Sequence, residues 1–377
     1  MLLRRRVRFS PGDLKKNGKI QCSDSAASMV CVLLPSGREV VMPNALCSNH
    51  RRLTGGQDGP YLANHLHGQG YEVWGTVHPL EDSSLTSIRA PNLHILPTDV
   101  ADPISLRRTL VKVNPDEIYA LAAVSSPAAA ESHPVFSLQS SVDSILLLLE
   151  WMREVNPKSR LFYASSAAIF GSEPPPQSEL TPRVPGSFYG LIKATCHDMV
   201  RIYRERYGLY CVNGILFNHE SVWRPSGYVT RKVTMAAARV AKEGKGELVL
   251  GDLSAIRDWG YAGDFARAMC LLLWPDEPRD VVIGTGHGHT IADLLRIAFN
   301  LVGKDYRDHV KTESSLMRPS DTLIADPALL SSELDWQAKV FLPELVWHMI
   351  SADLDRLHGR SEQQIAEAEL RGEYLPV

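Results

Sequence analysis

Tyr189 and Lys193 stand four residues apart, so a helix would carry them on one face. An ammonium placed there can lower a phenol's pKa and make it a proton acceptor near neutral pH. Ser165-Ser166 precedes them at the end of an apolar run. The Ser166 hydroxyl can hydrogen-bond a substrate oxygen while Tyr189 takes its proton and hydride leaves carbon. Farther on come Leu216-Phe217-Asn218-His219-Glu220-Ser221, Val229-Thr230-Arg231-Lys232 and Arg257-Asp258-Trp259-Gly260. These add an amide, a Lys and an Arg suited to gripping a nucleotide diphosphate. The set fits oxidation of a sugar hydroxyl while the sugar is held by a nucleotide handle.

Singly, Asn218, Lys232, Arg257 and Arg318 would read as surface charges or caps; in this order, Asn218 and Arg257 carry the functional reading best. Arg318-Pro319-Ser320-Asp321 could pair Arg318 with phosphate and Asp321 with ribose hydroxyls. Trp259 reads as packing. Gly55-Gly56-Gln57-Asp58-Gly59 precedes a helical pattern and matches the end of a loop that brings backbone close to a pyrophosphate at a helix N-terminus. Three residues before Gly56 stands Leu53, where that loop needs its first glycine. Asp99, at a strand end, reads equally as an adenine ligand or a helix N-cap.

Stepping along the chain, strands over Tyr71–Val77, Leu93–Leu96, Glu117–Ala122, Leu161–Ser165 and Cys211–Phe217 alternate with helices near Tyr61–Gly68, Pro103–Val113, Phe136–Val155 and Tyr189–Tyr207. That alternation implies an α/β, Rossmann-like, doubly wound parallel sheet. Beyond residue 217 the texture becomes helices with short strands (Glu247–Leu250, Val281–Ile283), a smaller interleaved C-terminal lobe that binds substrate. The expected division is an atypical segment at 1–52, a dinucleotide-binding domain at 53–217, a lobe at 218–358 and a loosely docked tail at 359–377. Met29–Met42 reads as a hairpin, and no clear strand leads into Gly55.

A chain of 377 residues suffices for this architecture, and a formal net charge of −3 gives no case for nucleic acid as a partner. Six cysteines without a C-x-x-C pair suit a reducing cytoplasm and argue against a metal site. No uninterrupted apolar run reaches ~18 residues, so no membrane span is expected.

From about Gly56 to Leu357 the sequence resembles the extended short-chain dehydrogenase/reductase group and, more narrowly, the GDP-mannose 4,6-dehydratase family. The matching residues are Gly56-Gln57-Asp58-Gly59, Tyr189-x-x-x-Lys193, the segment Asn213–Ser221, Val229–Lys232 and Arg257–Gly260. The resemblance implies a GDP-hexose substrate and bound NADP or NAD. It implies a homodimer or homotetramer built on Phe136–Val155 and Tyr189–Tyr207. It places cofactor contacts at Gly55, Gly56, Gln57, Asp58, Gly59, Asp99, Ser125, Tyr189 and Lys193, with Lys193 holding the nicotinamide ribose. Catalysis falls to Ser166, Tyr189 and Lys193, and substrate contacts to Asn218, Lys232, Arg257, Arg318 and Asp321.

Three departures shape the expectation. Ala168 stands where the dehydratases carry the acid that removes the C5 proton and protonates the leaving oxygen; losing such a group costs on the order of 10²–10⁴ in rate. The Ser-Ser-Ala pattern resembles 4-epimerases and 4-ketoreductases, which need hydride transfer alone. His78 stands where the family has an Arg for the 2′-phosphate, leaving NAD and NADP both open. The absent first strand suggests a shifted reading frame: Asn49-His50-Arg51 encoded AAT-CAC-CGG-C reads Ile-Thr-Gly one nucleotide later. A genuine N-terminal extension that replaces the strand is the rival reading. A non-catalytic nucleotide-sugar-binding homologue is a third functional alternative.

Overall fold

The computed structural model describes residues 44–48 as backbone, and 57–77, 93–121, 127–316 and 321–374. The hairpin expected at Met29–Met42, and Leu53, Gly55, Gly56, His78, Ser125 and Arg318, lie outside them. The first half runs β1 (Asn44–Ser48), α1 (Asp58–Gly68), β2 (Glu72–Val77), β3 (Leu93–Pro97), α2 (Pro103–Val113) and β4 (Glu117–Ala120). It continues with α3 (Pro127–Ser132), α4 (Pro134–Glu154), β5 (Arg160–Ser166), α5 (Phe188–Tyr207) and β6 (Tyr210–Leu216). Then come β7 (Asn218–Glu220), α6 (Val229–Glu243), β8 (Leu248–Leu250), β9 (Ile256–Tyr261), α7 (Ala262–Leu271), β10 (Val281–Ile283) and β11 (Gly288–Thr290). Last are α8 (Ile291–Leu301), β12 (Val310–Thr312), α9 (Ala328–Leu334), α10 (Leu342–Leu357) and α11 (Glu362–Leu370).

Seven strands form one sheet in the order β10-β6-β5-β4-β1-β2-β3, every pairing parallel. Parallel neighbours need crossovers, and the helices between strands supply them on both faces. Strands β4 and β5 are buried along nearly their whole length, as a sheet covered on both faces requires. The chain reverses direction of winding between β1 and β4, the switch point where such sheets bind ligands beyond their strand ends.

Three expectations are corrected. The first strand is present: Asn44–Ser48 lies between β4 and β2 and pairs in parallel with both. Asn-Ala-Leu-Cys-Ser has no β-branched residue and stands well ahead of the glycine cluster, so neither propensity nor spacing reveals it. Val281–Ile283 belongs to the large sheet beside β6, not to the small lobe. The tail is firmly docked, because α11 buries Ile365, Ala366, Ala368 and Glu369. The small lobe's own strands are β7, β9 and β11 in one sheet and β8 with β12 in another.

Among the described residues α4 is the helix long and apolar enough to cross a bilayer by length and composition, and half of its apolar window is buried. Its core face carries Ile145, Leu148, Leu149 and Met152 against the sheet and α5.

Gly190, in the first turn of α5, sits where a Cβ would come 2.4 Å from the Ala168 carbonyl oxygen. Gly190→Ala is therefore expected to destabilise the protein by ~1–3 kcal/mol through overpacking. The urea midpoint should fall at unchanged slope; an unchanged midpoint would show that the loop after β5 yields freely.

Candidate active site

Strand β5 pairs with β6 up to Ser166 opposite Leu216, which sets Ser166 two residues from Asn218 at the sheet's C-terminal edge. The chain then turns through a short 3₁₀ segment, Ala167–Ile169, capped by Ser166 Oγ accepting from Ala168 N at 3.2 Å. Ser187 caps α5 by accepting from Gly190 N at 3.1 Å, which puts Tyr189 in that helix's first turn. The bare Gly190 lets α5 press against the Ala168 carbonyl. Tyr189 is thereby brought near Ser166, whose hydroxyl favours the ionised phenol.

Lys193 follows one turn later, buried at 5% exposure. Its Nζ donates to Ala164 O at 2.7 Å and lies 5.2 Å from the Tyr163 ring centroid and 5.9 Å from that of Tyr189. Burial pulls its pKa down to about 8. The Tyr189 phenol is pushed up by burial, opposed by the Ser166 hydrogen bond and the Arg224 charge. The expectation that Lys193 lowers this phenol is thus not met here: the ammonium is turned onto a backbone carbonyl, and the relief comes from Ser166 and Arg224.

The start of α1 is clasped to β7. Gln57 Nε2 donates to His219 O at 2.5 Å, and Ser221 Oγ donates to Gln57 Oε1 at 3.0 Å. His219 Nε2 lies 3.0 Å from Asp58 Oδ1, while its Nδ1 faces Phe217 O at 2.8 Å. Burial works against the Asp58 charge, but His219, Arg224 and Lys193 outweigh it and hold its pKa below the ordinary value. Burial likewise opposes the His219 charge, and Asp58 overcomes it, raising the imidazole's pKa. The side chains of Gln57 and Asp58 therefore serve the clasp. Gly59 is buried in the first turn of α1, and no side chain caps that helix. Its leading backbone N–H groups, at the switch point, fit a pyrophosphate. Thr76 Oγ1, near the end of β2, finds no hydrogen-bond partner among the described residues.

Asp99 lies beyond β3, where its Oδ1 accepts from Ala101 N at 2.9 Å. The N-cap of α2 is instead Asp102, which accepts from Ile104 N and Ser105 N, so the capping alternative for Asp99 is corrected.

A cleft of about 250 Å³ opens beside this edge, lined by Asn218, Glu220, Arg224, Tyr228, Thr230, Asp252, Arg257 and Trp259 among others. It brings Asn218 and Arg257 together. Arg257 donates to the backbone oxygen of Asp321, and burial lowers its pKa against the Asp321 charge. Ser172 Oγ donates to Asp321 Oδ1 at 2.8 Å. Lys232 is exposed one turn into α6 and is not among the lining residues. Its neighbour Arg231 is buried, bound to Val222 O at 2.5 Å and to Asp353 at 2.6 Å.

The residue that sequence reading missed is Arg224. Its Nε reaches Glu220 Oε2 at 2.7 Å, and its guanidinium stacks 3.8 Å above the Tyr228 ring. Its place directly after the Asn218–Ser221 segment was the available signal. Neither carboxylate that could replace the acid missing at Ala168 is free. Glu220 accepts from Thr230 at 2.7 Å besides pairing with Arg224, and Glu179 accepts from Val282 N at 2.7 Å.

Behind Ser166, Ser165 Oγ contacts His197 Nδ1 at 3.1 Å, and His197 Nε2 lies 3.4 Å from Asp280 Oδ2. Arg204 pairs with the same Asp280 at 2.6 Å. Burial opposes the Asp280 charge, but His197 and Arg204 hold its pKa far below the carboxylate range. This network ties β5, β6, α5 and the approach to β10 into one support beneath the site.

A sequence model of the family described as GDP-mannose 4,6 dehydratase matches residues 54–349. The chain belongs to the GDP-mannose 4,6-dehydratase family. GDP-mannose 4,6 dehydratase 1 of Arabidopsis thaliana is 38% identical over 331 residues, covering 83% of this chain and 91% of that protein. GDP-mannose 4,6-dehydratase of Vibrio cholerae serotype O1 is 34% identical over 349 residues, covering 81% and 93%. Among solved structures, dTDP-glucose 4,6-dehydratase from Bacillus anthracis in complex with NAD superposes with a TM-score of 0.72 at 19% identity, over 85% of this chain and 98% of that one. UDP-glucose 4-epimerase from Brucella ovis in complex with NAD gives 0.72 at 22%, over 83% and 98%. These likenesses bear on the fold, the Rossmann-like architecture expected from the strand–helix alternation.

A lysine whose folded pKa is about 8 binds fewer protons than the unfolded chain between pH 8 and its ordinary value of 10.5. Its contribution is thus destabilising below pH 8 and is relieved as pH rises through that window. Lys193→Met is expected to lose activity while keeping or gaining stability at pH 7, with the difference from the parent shrinking from pH 8 to 10.5. Urea midpoints across that range check the sign; a widening gain would contradict it.

Proposed function

We propose that the chain is an NAD(P)-dependent enzyme acting on a GDP-hexose, with GDP-mannose 4,6-dehydration, yielding the 4-keto-6-deoxy sugar, as its family reaction. The observation that carries this is the placing of Ser166, Tyr189 and, one turn on, Lys193 with its Nζ 5.9 Å from the Tyr189 ring, beside the cleft that joins Asn218 to Arg257. The backbone at the start of α1, with Tyr189 and Lys193, would hold the dinucleotide; Gly55, Gly56, Ser125 and Asp99 complete the proposed contacts. When bound, that group supplies hydride acceptance and return. The residues do the rest. Ser166 orients the C4 hydroxyl, and Tyr189 removes its proton. Lys193 has ammonium protons to spare beyond the one given to Ala164 O, enough for a ribose hydroxyl. Asn218 and Arg257 grip the diphosphate; Lys232, Arg318 and Asp321 stand as outer contacts.

Ala168 favours a second reading, hydride chemistry without water loss, as in a 4-epimerase or 4-ketoreductase. Water loss needs a proton taken from C5 and given to the C6 oxygen, and a methyl group does neither. With Glu179 and Glu220 engaged elsewhere, the acid is missing at its family position. A non-catalytic binding role is the remaining alternative, and a dinucleotide retained through purification would argue against it. The exposed apolar residues of α4 and α5, Val135, Phe136, Leu138, Leu146, Leu191 and Ile202, would form a homodimer face, two of which would make a tetramer. The scattered thiols fit a cytoplasmic setting.

Incubation of the purified chain with GDP-mannose, followed by mass spectrometry, decides between the readings. Little water loss is expected from the parent chain and more from Ala168→Glu; efficient water loss by the parent would return it to the ordinary dehydratases. Tyr189→Phe should lower C4 oxidation by ~10²–10⁴. GDP should protect the fold thermally well beyond UDP or dTDP. Equal shifts from all three would refute the GDP assignment.

A further inference from the structure

Past the end of the family match, α11 carries a carboxylate into the core. Glu369 is 5% exposed and bonds to three groups on separate elements. Tyr61 of α1 donates to Oε1 at 2.5 Å, Tyr261 at the end of β9 donates to the same oxygen at 2.8 Å, and His348 of α10 meets Oε2 through Nε2. Burial first, then the Glu369 charge, keeps both phenols protonated and able to donate.

Tyr61 is one turn beyond Asp58 on the helix whose start is clasped to β7. Its ring packs 4.7 Å from Trp223 and 5.3 Å from Tyr261, centroid to centroid. Helix α1 is therefore held at two points. Gln57 and Asp58 fix its start through His219 and Ser221, and Glu369 fixes its next turn to the substrate lobe. We infer that Glu369 is a positioning residue that aims the N-terminus of α1 at the dinucleotide by tying Tyr61 to Tyr261 and His348. The inference deepens the proposed function and rests on its placement of the dinucleotide at that helix.

The test compares Glu369→Ala, Glu369→Gln and Tyr61→Phe, with Tyr374→Phe as control. Tyr374 anchors the same tail by donating its hydroxyl to Asp355 at 2.6 Å, and its ring contact with His348, 5.8 Å between centroids, is kept by phenylalanine. Two readouts are taken: dissociation constants for the dinucleotide and for GDP, and hydrogen exchange of the ligand-free protein. Glu369→Ala and Tyr61→Phe should weaken dinucleotide binding by about tenfold, the effect of one hydrogen bond of ordinary strength, with GDP affinity nearly unchanged. Glu369→Gln keeps an acceptor for both phenols and should recover most of the loss. Exchange should quicken at residues 58–66 and 218–221 in the weakened variants and not in Tyr374→Phe. If Glu369→Ala fails to fold, Tyr61→Phe carries the same comparison. Unchanged exchange at those residues, or equal loss of both affinities in step with stability, overturns the inference. A parent chain that binds no dinucleotide would sink the proposed function, while the exchange pattern would still decide the role of Glu369.

Discussion

The hydrogen bonds of Gln57 with His219 and Ser221 are the interaction on which the site depends. A parallel sheet brings the C-terminal ends of all its strands to one edge, but it does not fix how the loops beyond that edge face one another. Here one amide spans the gap, giving a proton to β7 and accepting one from the residue after it. The Asp58–His219 pair beside it repeats the link in charged form. Because Asn218 precedes His219 directly, moving this clasp would move the cleft that holds Asn218 and Arg257 together with the start of α1.

Much of this was legible in the chain. The strand–helix alternation defines the sheet because buried parallel strands read as short apolar runs, and the helix at 103–113 has the expected bounds. The spacing of Tyr189 and Lys193 places both on α5. What the sequence hides is of two kinds. Strands of three residues such as β7, β11 and β12 are too short for periodicity, and β1 has weak propensity. Side-chain direction is also invisible: nothing in Val229-Thr230-Arg231-Lys232 says that Arg231 is the buried member and Lys232 the exposed one. The same limit conceals that the Lys193 ammonium serves Ala164 rather than the phenol.

Charge placement explains how a half-buried site tolerates so many ions. Arg224 is shared among Glu220, Asp58 and Tyr189 by proximity, and Asp280 is shared between His197 and Arg204. Buried charges cost least when each has several partners. Glu220 and Glu179 are committed in the same manner, one to Thr230 and Arg224 and the other to the Val282 backbone.

The place of β10 in the large sheet carries a consequence for how the protein is made. Strand β6 is complete at Leu216, yet its outer neighbour is Val281–Ile283. On a ribosome that partner emerges roughly 65 residues later, on the order of several seconds at ordinary elongation rates. During that interval the nascent chain presents an unpaired parallel edge, open to any other extended segment nearby. The final closure of the sheet is therefore a late, long-range event. Chain synthesis, rather than the chemistry at the opposite end of the strands, sets how long that edge stays vulnerable.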